Sequence, residues 1–224
     1  DRRPAGAVEG LIVMAGLPTV VFDFAGVLFH WQPQDVLQQV LPQRAHDAAS
    51  ARLWEAQVFQ SYGGDWAEFD RGTVTPADLV QRIAKRTGLA PAEVQAVVDA
   101  VPVALQPRPD TVALLQQLHA AGHPLYFLSN MPAPYADHLD RTHGFLRLFT
   151  GGVYSGRVLQ IKPERAIYDL AAQRFGVPPG GLLFFDDVVA NVAAAQAAGW
   201  QAAHFTDAAA ARALLLARGF ALGR

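Results

Sequence analysis

The sequence VVFDFAGVLFHW, residues 20–31, places a run of hydrophobic residues directly before a single carboxylate and a turn. The β-branched and aromatic residues of TVVFDF, bounded by Pro18 and Gly26, predict a short strand that is buried on both faces. Asp23 ends this strand, and the chain then turns through Ala25 and Gly26. A carboxylate at the end of a buried strand is therefore the first candidate for a functional group.

Three further strands are predicted after residue 104, each separated from the next by helical segments. They are PLYFLSN (124–130), GLLFFDD (181–187) and WQAAHF (200–205). Strands that alternate with helices of roughly 10–15 residues predict βαβ units and a parallel sheet. The fold class predicted is α/β, with a Rossmann-like parallel sheet.

Residues 34–104 differ from the rest of the chain because they show helical spacing and no strand pattern. Asp47, Thr75 and Ala90-Pro91 are typical helix starts, and Gly63 and Gly88 are typical helix ends. The sequence therefore predicts a core domain of residues 1–31 and 105–224. A helical domain of residues 32–104 is inserted after the first strand.

Composition excludes several classes of function. The 224 residues are 51% hydrophobic and 17% charged, with a net charge of −2 and no basic cluster, which argues against a nucleic-acid partner. The absence of cysteine excludes disulfides and thiolate chemistry, and the seven scattered histidines do not form the close pairs of a zinc site.

The N-terminal segment carries neither a membrane span nor a secretory signal pattern. MAGLPTVVFDF, from Met14, is typical of a natural start, so residues 1–13 are expected to derive from an upstream start codon or from added sequence. We expect a cytoplasmic protein.

Ligands of open parallel sheets bind beyond the carboxyl ends of the strands, so the residues at these ends are the candidates for a site. Lys162 joins them because it precedes Pro163, which is predicted to be the first residue of a helix. The candidates are Asp23, Ser129, Asn130, Lys162, Asp186 and Asp187.

These residue types predict phosphoryl-transfer chemistry. Asp23 and Asp187 provide the hard oxygen ligands that suit Mg²⁺, and Ser129 and Lys162 can donate to phosphate oxygens. A carboxylate can also act as a nucleophile and form an acyl phosphate, which water then hydrolyses.

The motifs FDFAGV, FLSN, KPE and FFDDVVAN stand in the order found in the haloacid dehalogenase superfamily, which the chain resembles over nearly its whole length. The residues GVL after Asp23, LSN, KP followed by Tyr168, and the double Asp are similar to one branch. That branch includes bacterial α-glucose-1-phosphatase-like proteins and the phosphatase domain of soluble epoxide hydrolases. The resemblance implies that residues 32–104 form a helical cap over a Rossmann-like core.

The resemblance also implies a role for each candidate residue. Asp23 is the nucleophile and a Mg²⁺ ligand, the backbone carbonyl of Ala25 and the carboxylate of Asp187 complete the metal site, and Lys162 stabilises the transition-state charge. Ser129 and Asn130 hold the phosphoryl group. Asp186 either ligates through water or positions Lys162, and Asn191 supports the ligands.

Ala25 departs from the family pattern. Most phosphatases of the family have an aspartate here that protonates the leaving group and later activates water, and a methyl group can do neither. General acid–base catalysis is typically worth about 10²–10⁴-fold. The site is therefore expected to favour activated leaving groups or to use another acid–base group, for which His30 is a candidate.

We expect a Mg²⁺-dependent phosphatase of small phosphorylated metabolites, possibly sugar phosphates. One alternative is a 2-haloacid dehalogenase, in which Asp23 attacks carbon, although the chain lacks the aromatic residue at Ala25 and an Arg between Leu28 and Gln43. Another is a degenerate member that only binds a ligand. Of the aromatic residues near residues 54–69, Tyr62 and Trp66 are the ones expected to face a substrate.

Overall fold

The computed structural model describes residues 16–223. The prediction about the origin of residues 1–13 therefore lies outside the described residues. Five parallel strands form one sheet in the order β3-β2-β1-β4-β5. The strands are β1 (Thr19–Phe22), β2 (Leu125–Ser129), β3 (Gly151–Tyr154), β4 (Leu182–Asp186) and β5 (Gln201–His204). β1 is central, which places its carboxyl end at the middle of one edge of the sheet.

Within residues 16–223, ten α-helices connect and cover the strands. Five of them form residues 33–104, which we call the helical insertion: α1 (Pro33–Val40), α2 (Ala48–Phe59), α3 (Gly64–Arg71), α4 (Pro76–Thr87) and α5 (Pro91–Ala104). The others are α6 (Pro109–Ala120), α7 (Ala133–Thr142), α8 (Arg165–Phe175), α9 (Val189–Ala197) and α10 (Ala208–Ala217). The α/β architecture with a parallel sheet is as predicted.

Side chains of β1 alternate between the two faces of the sheet because successive residues of a strand point in opposite directions. Val20 and Phe22 join a large hydrophobic core with α6, α7 and α10, whereas Val21 joins a second core with α8 and α9. Tyr168 is fully buried in this second core, as expected for a helix residue that packs on the sheet. The strand is therefore covered on both faces.

Two details differ from the sequence prediction. The strand β3 was not predicted, because GGVY contains two glycines and only two residues with strong strand preference. The predicted helix start at Pro163 is wrong, since α8 begins at Arg165 and the Lys162–Pro163 peptide is cis. Lys162 accordingly lies in a loop.

The helix predicted to end at Gly63 is also shorter than expected. α2 ends at Phe59, and Gln60, Ser61 and Tyr62 follow with left-handed backbone angles. By contrast, Asp47 and Thr75 cap the starts of α2 and α4 through their side chains, as predicted.

The helical insertion is joined to the sheet domain by two adjacent backbone segments. The amide of His30 donates to the carbonyl of Gln106 at 2.8 Å, and the amide of Arg108 donates to the carbonyl of Leu28 at 2.8 Å. These bonds tie the outgoing and the returning chain together directly below the insertion.

A second contact lies at the end of α3. Gly72 has φ +89°, and a Cβ built on it would stand 2.5 Å from the carbonyl oxygen of Gly156. The carboxylate of Glu164 also binds the guanidinium of Arg71 through two hydrogen bonds of 2.6 and 2.8 Å. The last turn of α3 is thus fixed against the loops that carry the candidate residues.

Within residues 16–223, no helix combines the length and the apolar character needed to cross a membrane.

We predict that Gly72→Ala destabilises the protein more than Gly88→Ala. Both glycines are left-handed, which costs an alanine about 1–2 kcal/mol, but a Cβ at Gly88 meets nothing within 4 Å. Gly72→Ala should lose roughly a further 1–3 kcal/mol because backbone must move away. Urea unfolding of the two variants measures the difference, and equal losses would contradict the close contact between α3 and Gly156.

Candidate active site

Asp23 lies at the carboxyl end of the central strand and is 6% exposed. Its backbone amide donates to the carbonyl of Phe185 in the neighbouring strand at 2.9 Å, and its Oδ1 accepts a hydrogen bond of 2.7 Å from the amide of Phe24. The sheet and the following turn therefore fix both the backbone and the carboxylate of Asp23.

Lys162 connects Asp23 to a second carboxylate. Its Nζ lies 2.8 Å from Oδ1 of Asp23 and 2.7 Å from Oδ2 of Asp186, and the residue is 3% exposed. Burial by itself would lower the pKa of Lys162, but the two carboxylates outweigh it and raise the pKa above its usual value. The ammonium group is therefore charged and held in place.

The side-chain amide of Asn130 binds the backbone of Lys162. Its Nδ2 donates to the carbonyl of Lys162 at 2.9 Å, and its Oδ1 accepts from the amide of Lys162 at 2.8 Å. The phosphoryl contact expected of Asn130 therefore stays a prediction, while the contact to Lys162 was not foreseen. Ser129 is buried and does not belong to the cavity lining, and its Oγ has no hydrogen-bond partner in the described part of the chain, so its expected phosphoryl contact also stays a prediction.

Asp186 is the most constrained carboxylate of the group. Besides Lys162, its oxygens accept from the amide of Val188 at 2.8 Å and from Nδ2 of Asn191 at 3.1 Å. Of the two roles left open for Asp186, these contacts favour the positioning of Lys162, and Asn191 supports Asp186 as expected.

Asp187 packs its carboxylate against the turn that follows Asp23. A Cβ on Gly26 would stand 2.1 Å from Oδ2 of Asp187 and would displace that carboxylate. Gly26 also has φ +81°, a backbone angle that favours glycine. Asp23, Asp186 and Asp187 each offer a carboxylate oxygen, and these oxygens lie within 4.8 Å of one another. The ends of β1 and β4 therefore form one acidic cluster.

The acidic cluster fits a hard divalent cation such as Mg²⁺. Its donors are carboxylate oxygens, the ligand type that Mg²⁺ prefers, and the carbonyl of Ala25 accepts no hydrogen bond from residues 16–223. Asp23, Ala25 and Asp187 would hold the ion; this ligand set, expected from the sequence, stays a prediction.

Electrostatics at this cluster are unfavourable for bare carboxylates. Burial raises the pKa of Asp23 to about 8, against the opposing charge of Lys162. Loss of solvent around its carboxyl group and the neighbouring Asp186 raise the pKa of Asp187, although the residue as a whole is exposed. A bound cation would reverse both effects, because it favours the charged form of each carboxylate.

A cavity of about 390 Å³ opens above these residues, a size typical of small-molecule sites. Its floor is polar and comprises Asp23, Asn130, Lys162, Asp187 and Asn191. The other large lining residues are mostly apolar or aromatic and comprise Trp31, Tyr62, Trp66, Val101, Leu105, Met131, Pro132 and Tyr135. The helical insertion thus contributes to the cavity, and Tyr62 and Trp66 face it as expected.

The structure argues against one candidate for the acid–base group and adds another. His30 is exposed and does not belong to the cavity lining, whereas Ala25 does. Asp70, at the end of α3, also lines the cavity and is 8% exposed. Asp70 was not predicted as a site residue, because the sequence of α3 does not indicate that its last turn lies beside the cavity.

We predict that Lys162→Met destabilises the protein by about 3–5 kcal/mol at pH 7.5, since it leaves two buried carboxylates without their cation. The loss should shrink as the pH falls, because Asp23 already has a raised pKa and a protonated carboxyl group no longer carries an unpaired charge. Urea unfolding at pH 5.5 and 7.5 checks this. Lys85→Met, at the exposed position of the only other lysine, is the control. A loss independent of pH would contradict the assignment.

Comparison with known proteins identifies relatives of two kinds. The family profile of haloacid dehalogenase-like hydrolases matches residues 17–199. The chain is 30% identical over 187 residues to the sesquiterpene phosphatase astK of Aspergillus oryzae, covering 84% of this chain and 89% of that protein. It is 28% identical over 183 residues to (S)-2-haloacid dehalogenase H-109 of Pseudomonas putida, covering 76% and 77% of the two chains.

Solved structures show the same fold at lower identity. A HAD family enzyme of Bacteroides thetaiotaomicron, in complex with magnesium and inorganic phosphate, superposes with a TM-score of 0.67 at 19% identity, covering 85% of this chain and 95% of that one. An L-2-haloacid dehalogenase of Xanthobacter autotrophicus gives a TM-score of 0.64 at 21% identity, covering 92% and 84%. With the family profile and the 30% identical relative, these findings show that the chain belongs to the haloacid dehalogenase-like hydrolases.

Proposed function

We propose that the protein is a Mg²⁺-dependent phosphatase of small phosphorylated metabolites that works through an aspartyl-phosphate intermediate on Asp23. One observation carries the proposal: three carboxylates lie close together, two of them (Asp23 and Asp187) line the cavity, and Lys162 is the one cationic side chain among the described lining residues. Such a cluster has an excess of negative charge, which a divalent cation would neutralise.

The proposed roles follow from the contacts. An oxygen of Asp23 attacks phosphorus, and the bond between phosphorus and the leaving group breaks. Water then attacks the phosphorus of the acyl phosphate and restores the carboxylate. Lys162 stays beside Asp23 throughout, since Asp186 and the side chain of Asn130 hold its two ends.

Ser129 would donate to a phosphoryl oxygen, a role supported by its hydroxyl having no other partner in residues 16–223. Asp23, the carbonyl of Ala25 and Asp187 would hold Mg²⁺. When bound, the ion supplies charge neutralisation for the phosphoryl group. The helical insertion would act as the cap expected from the sequence, since its residues Tyr62, Trp66 and Val101 line the same cavity as Asp23.

A 2-haloacid dehalogenase remains the rival because one relative has that activity. Its substrate carries a carboxylate that needs a positive partner. The described lining offers only Lys162, whose ammonium already binds Asp23 and Asp186. The acidic cluster would repel such a substrate, so the charge distribution favours the phosphatase.

The lining also supports a proposal for the organic part of the substrate. Its apolar side would contact a hydrocarbon group favourably, whereas the hydroxyls of a sugar would find few polar partners there. A relative that is a sesquiterpene phosphatase agrees with an apolar group. We therefore favour alkyl or isoprenoid phosphates over the sugar phosphates suggested by the sequence.

We predict that hydrolysis of phosphate monoesters stops on chelation and returns with Mg²⁺, and that Asp23→Asn abolishes it because an amide is a poor nucleophile and a weaker ligand. Calorimetry should show that Asp187→Asn weakens Mg²⁺ binding at least about tenfold, equivalent to about 1.4 kcal/mol. Asp169→Asn, which changes an exposed aspartate on α8, is the control. Chelator-insensitive release of chloride from 2-chloropropionate would favour the dehalogenase. Absence of turnover of every ester would favour a degenerate binding protein.

We predict a preference for apolar esters, measured as kcat/KM for octyl and geranyl phosphate against glucose 1-phosphate. Trp31→Ala should lower kcat/KM for the apolar esters about tenfold through KM, because it removes roughly 1.4 kcal/mol of contact with the hydrocarbon chain. Leu159→Ala, at an exposed apolar position outside the cavity lining, should leave kcat/KM unchanged for the apolar esters and for glucose 1-phosphate. A preference for glucose 1-phosphate that Trp31→Ala leaves unchanged would contradict the apolar assignment.

A further inference from the structure

An ester without an activated leaving group needs a proton donor, and Ala25 cannot provide one. Besides Asp23, Lys162 and Asp187, the titratable side chains that line the cavity are those of Tyr62, Asp70 and Tyr135. One of these three is the place to look for the missing proton.

The two tyrosines are less suited to the task. The hydroxyl of Tyr135 donates to the carbonyl of Val98 at 2.7 Å, so its proton is already engaged. The hydroxyl of Tyr62 accepts a hydrogen bond of 2.6 Å from Nε1 of Trp31, and the residue is 43% exposed at the cavity mouth. Burial raises the pKa of Tyr62 to about 12, so its phenolate is too scarce near neutral pH to activate water.

Asp70 differs from the other acidic residues of α3 because its carboxylate has no partner. Asp65 binds Arg86 at 3.1 Å, and Glu68 accepts from the hydroxyl of Thr73 at 2.6 Å. Asp70 is 8% exposed, yet no hydrogen bond or ion pair to its carboxylate is present in residues 16–223. A buried carboxyl group that lines a ligand cavity and has no protein partner is available to a ligand.

The backbone of Asp70 is fixed to the loop that follows Ser129 and Asn130. The hydroxyl of Ser155 donates to the carbonyl of Asp70 at 2.5 Å and accepts from the amide of Met131 at 2.8 Å. The contact of Gly72 with Gly156 lies two residues further along. The backbone of Asp70 is therefore fixed where the end of α3 lines the cavity.

The charge balance favours a neutral Asp70 in the presence of phosphate. Burial raises the pKa of Asp70 to about 8, and the attraction of Lys162 only partly opposes it. The other titratable groups that face Asp70 are Tyr62 and Tyr135, which stay neutral because their own pKa values are raised. Near neutral pH, Asp70 can therefore donate a proton and take one back.

We propose that Asp70 is the catalytic acid and base of the reaction and performs from the helical insertion the task that Ala25 cannot perform from the turn. The proposal rests on the phosphatase function above.

The two steps balance as follows. First, an oxygen of Asp23 bonds to phosphorus, the bond from phosphorus to the ester oxygen breaks, and this oxygen takes the proton of Asp70 and leaves as an alcohol. Next, water bonds to phosphorus and gives a proton to the Asp70 carboxylate, while the bond between phosphorus and Asp23 breaks. Orthophosphate leaves, and Asp23 and Asp70 regain their starting forms.

The test compares Asp70→Asn with the wild type on octyl phosphate and on p-nitrophenyl phosphate with Mg²⁺. The kcat for octyl phosphate should fall about 10²–10⁴-fold, because its leaving oxygen is strongly basic. The kcat for p-nitrophenyl phosphate should fall far less. Asp65→Asn makes the same chemical change on the same helix, outside the cavity, and should leave both rates near those of the wild type.

Restoring a carboxylate at the turn provides a second arm. Ala25→Asp should recover much of the octyl phosphate activity lost in Asp70→Asn. Asp70→Ser gives the same comparison should the amide fail to fit.

Unfolding measures the state of Asp70 without turnover. A carboxyl group whose folded pKa exceeds its unfolded value lowers stability as the pH rises between the two values, here from 3.8 to about 8. Asp70→Asn should therefore melt at a higher temperature than the wild type at pH 7.5, and the gain should shrink at pH 5.

Several outcomes would overturn the proposal. These are equal losses on both esters, a change confined to KM, no rescue by Ala25→Asp, or a pH-independent change in melting temperature. A wild type that hydrolyses neither ester overturns the phosphatase function as well. An active wild type with an unimpaired Asp70→Asn variant overturns only the role of Asp70.

Discussion

The ammonium group of Lys162, held between the carboxylates of Asp23 and Asp186, is the interaction on which the site depends. Two strand ends and a loop must meet within hydrogen-bond distance for it to form. The cost of burying these charges is offset only while they stay paired, so the surrounding backbone must hold them in register. The parallel sheet provides that register, and the amide of Asn130 fixes the backbone of the lysine.

Excess negative charge follows directly from this arrangement. One lysine faces three carboxylates, which leaves the floor of the cavity suited to a divalent cation and poorly suited to a free organic carboxylate. The fold alone does not settle the reaction, because dehalogenases share it with an enzyme that binds magnesium and phosphate. In the proposed function, local charge distinguishes the two activities, and Asp70 supplies the proton that Ala25 cannot.

Much of this could be predicted from sequence because the signals are local. The hydrophobic run before Asp23 and the strand patterns that end in FLSN and FFDD indicate a parallel sheet, and the structure brings Asp23, Asn130, Lys162 and Asp187 to one cavity. Short-range patterns failed where contacts are long-range or weak. GGVY gives little strand signal at the edge of the sheet, the bonds from Asn130 to Lys162 join residues far apart in sequence, and Asp70 becomes meaningful only once α3 packs against Gly156.

The central claim is that Asp23 forms a bond to phosphorus, and a single-turnover reaction in oxygen-18 water tests it most directly. With Mg²⁺ and an excess of enzyme over phosphate ester, mass spectrometry should find oxygen-18 in the released orthophosphate and an unlabelled Asp23 peptide, because water attacks phosphorus. Acid quenching early in the turnover should trap a phosphoryl group on the same peptide. Oxygen-18 in the carboxylate of Asp23, with no phosphorylated peptide, would contradict the account, since it would mean that water attacks the carbonyl carbon of an ester formed with a carbon substrate.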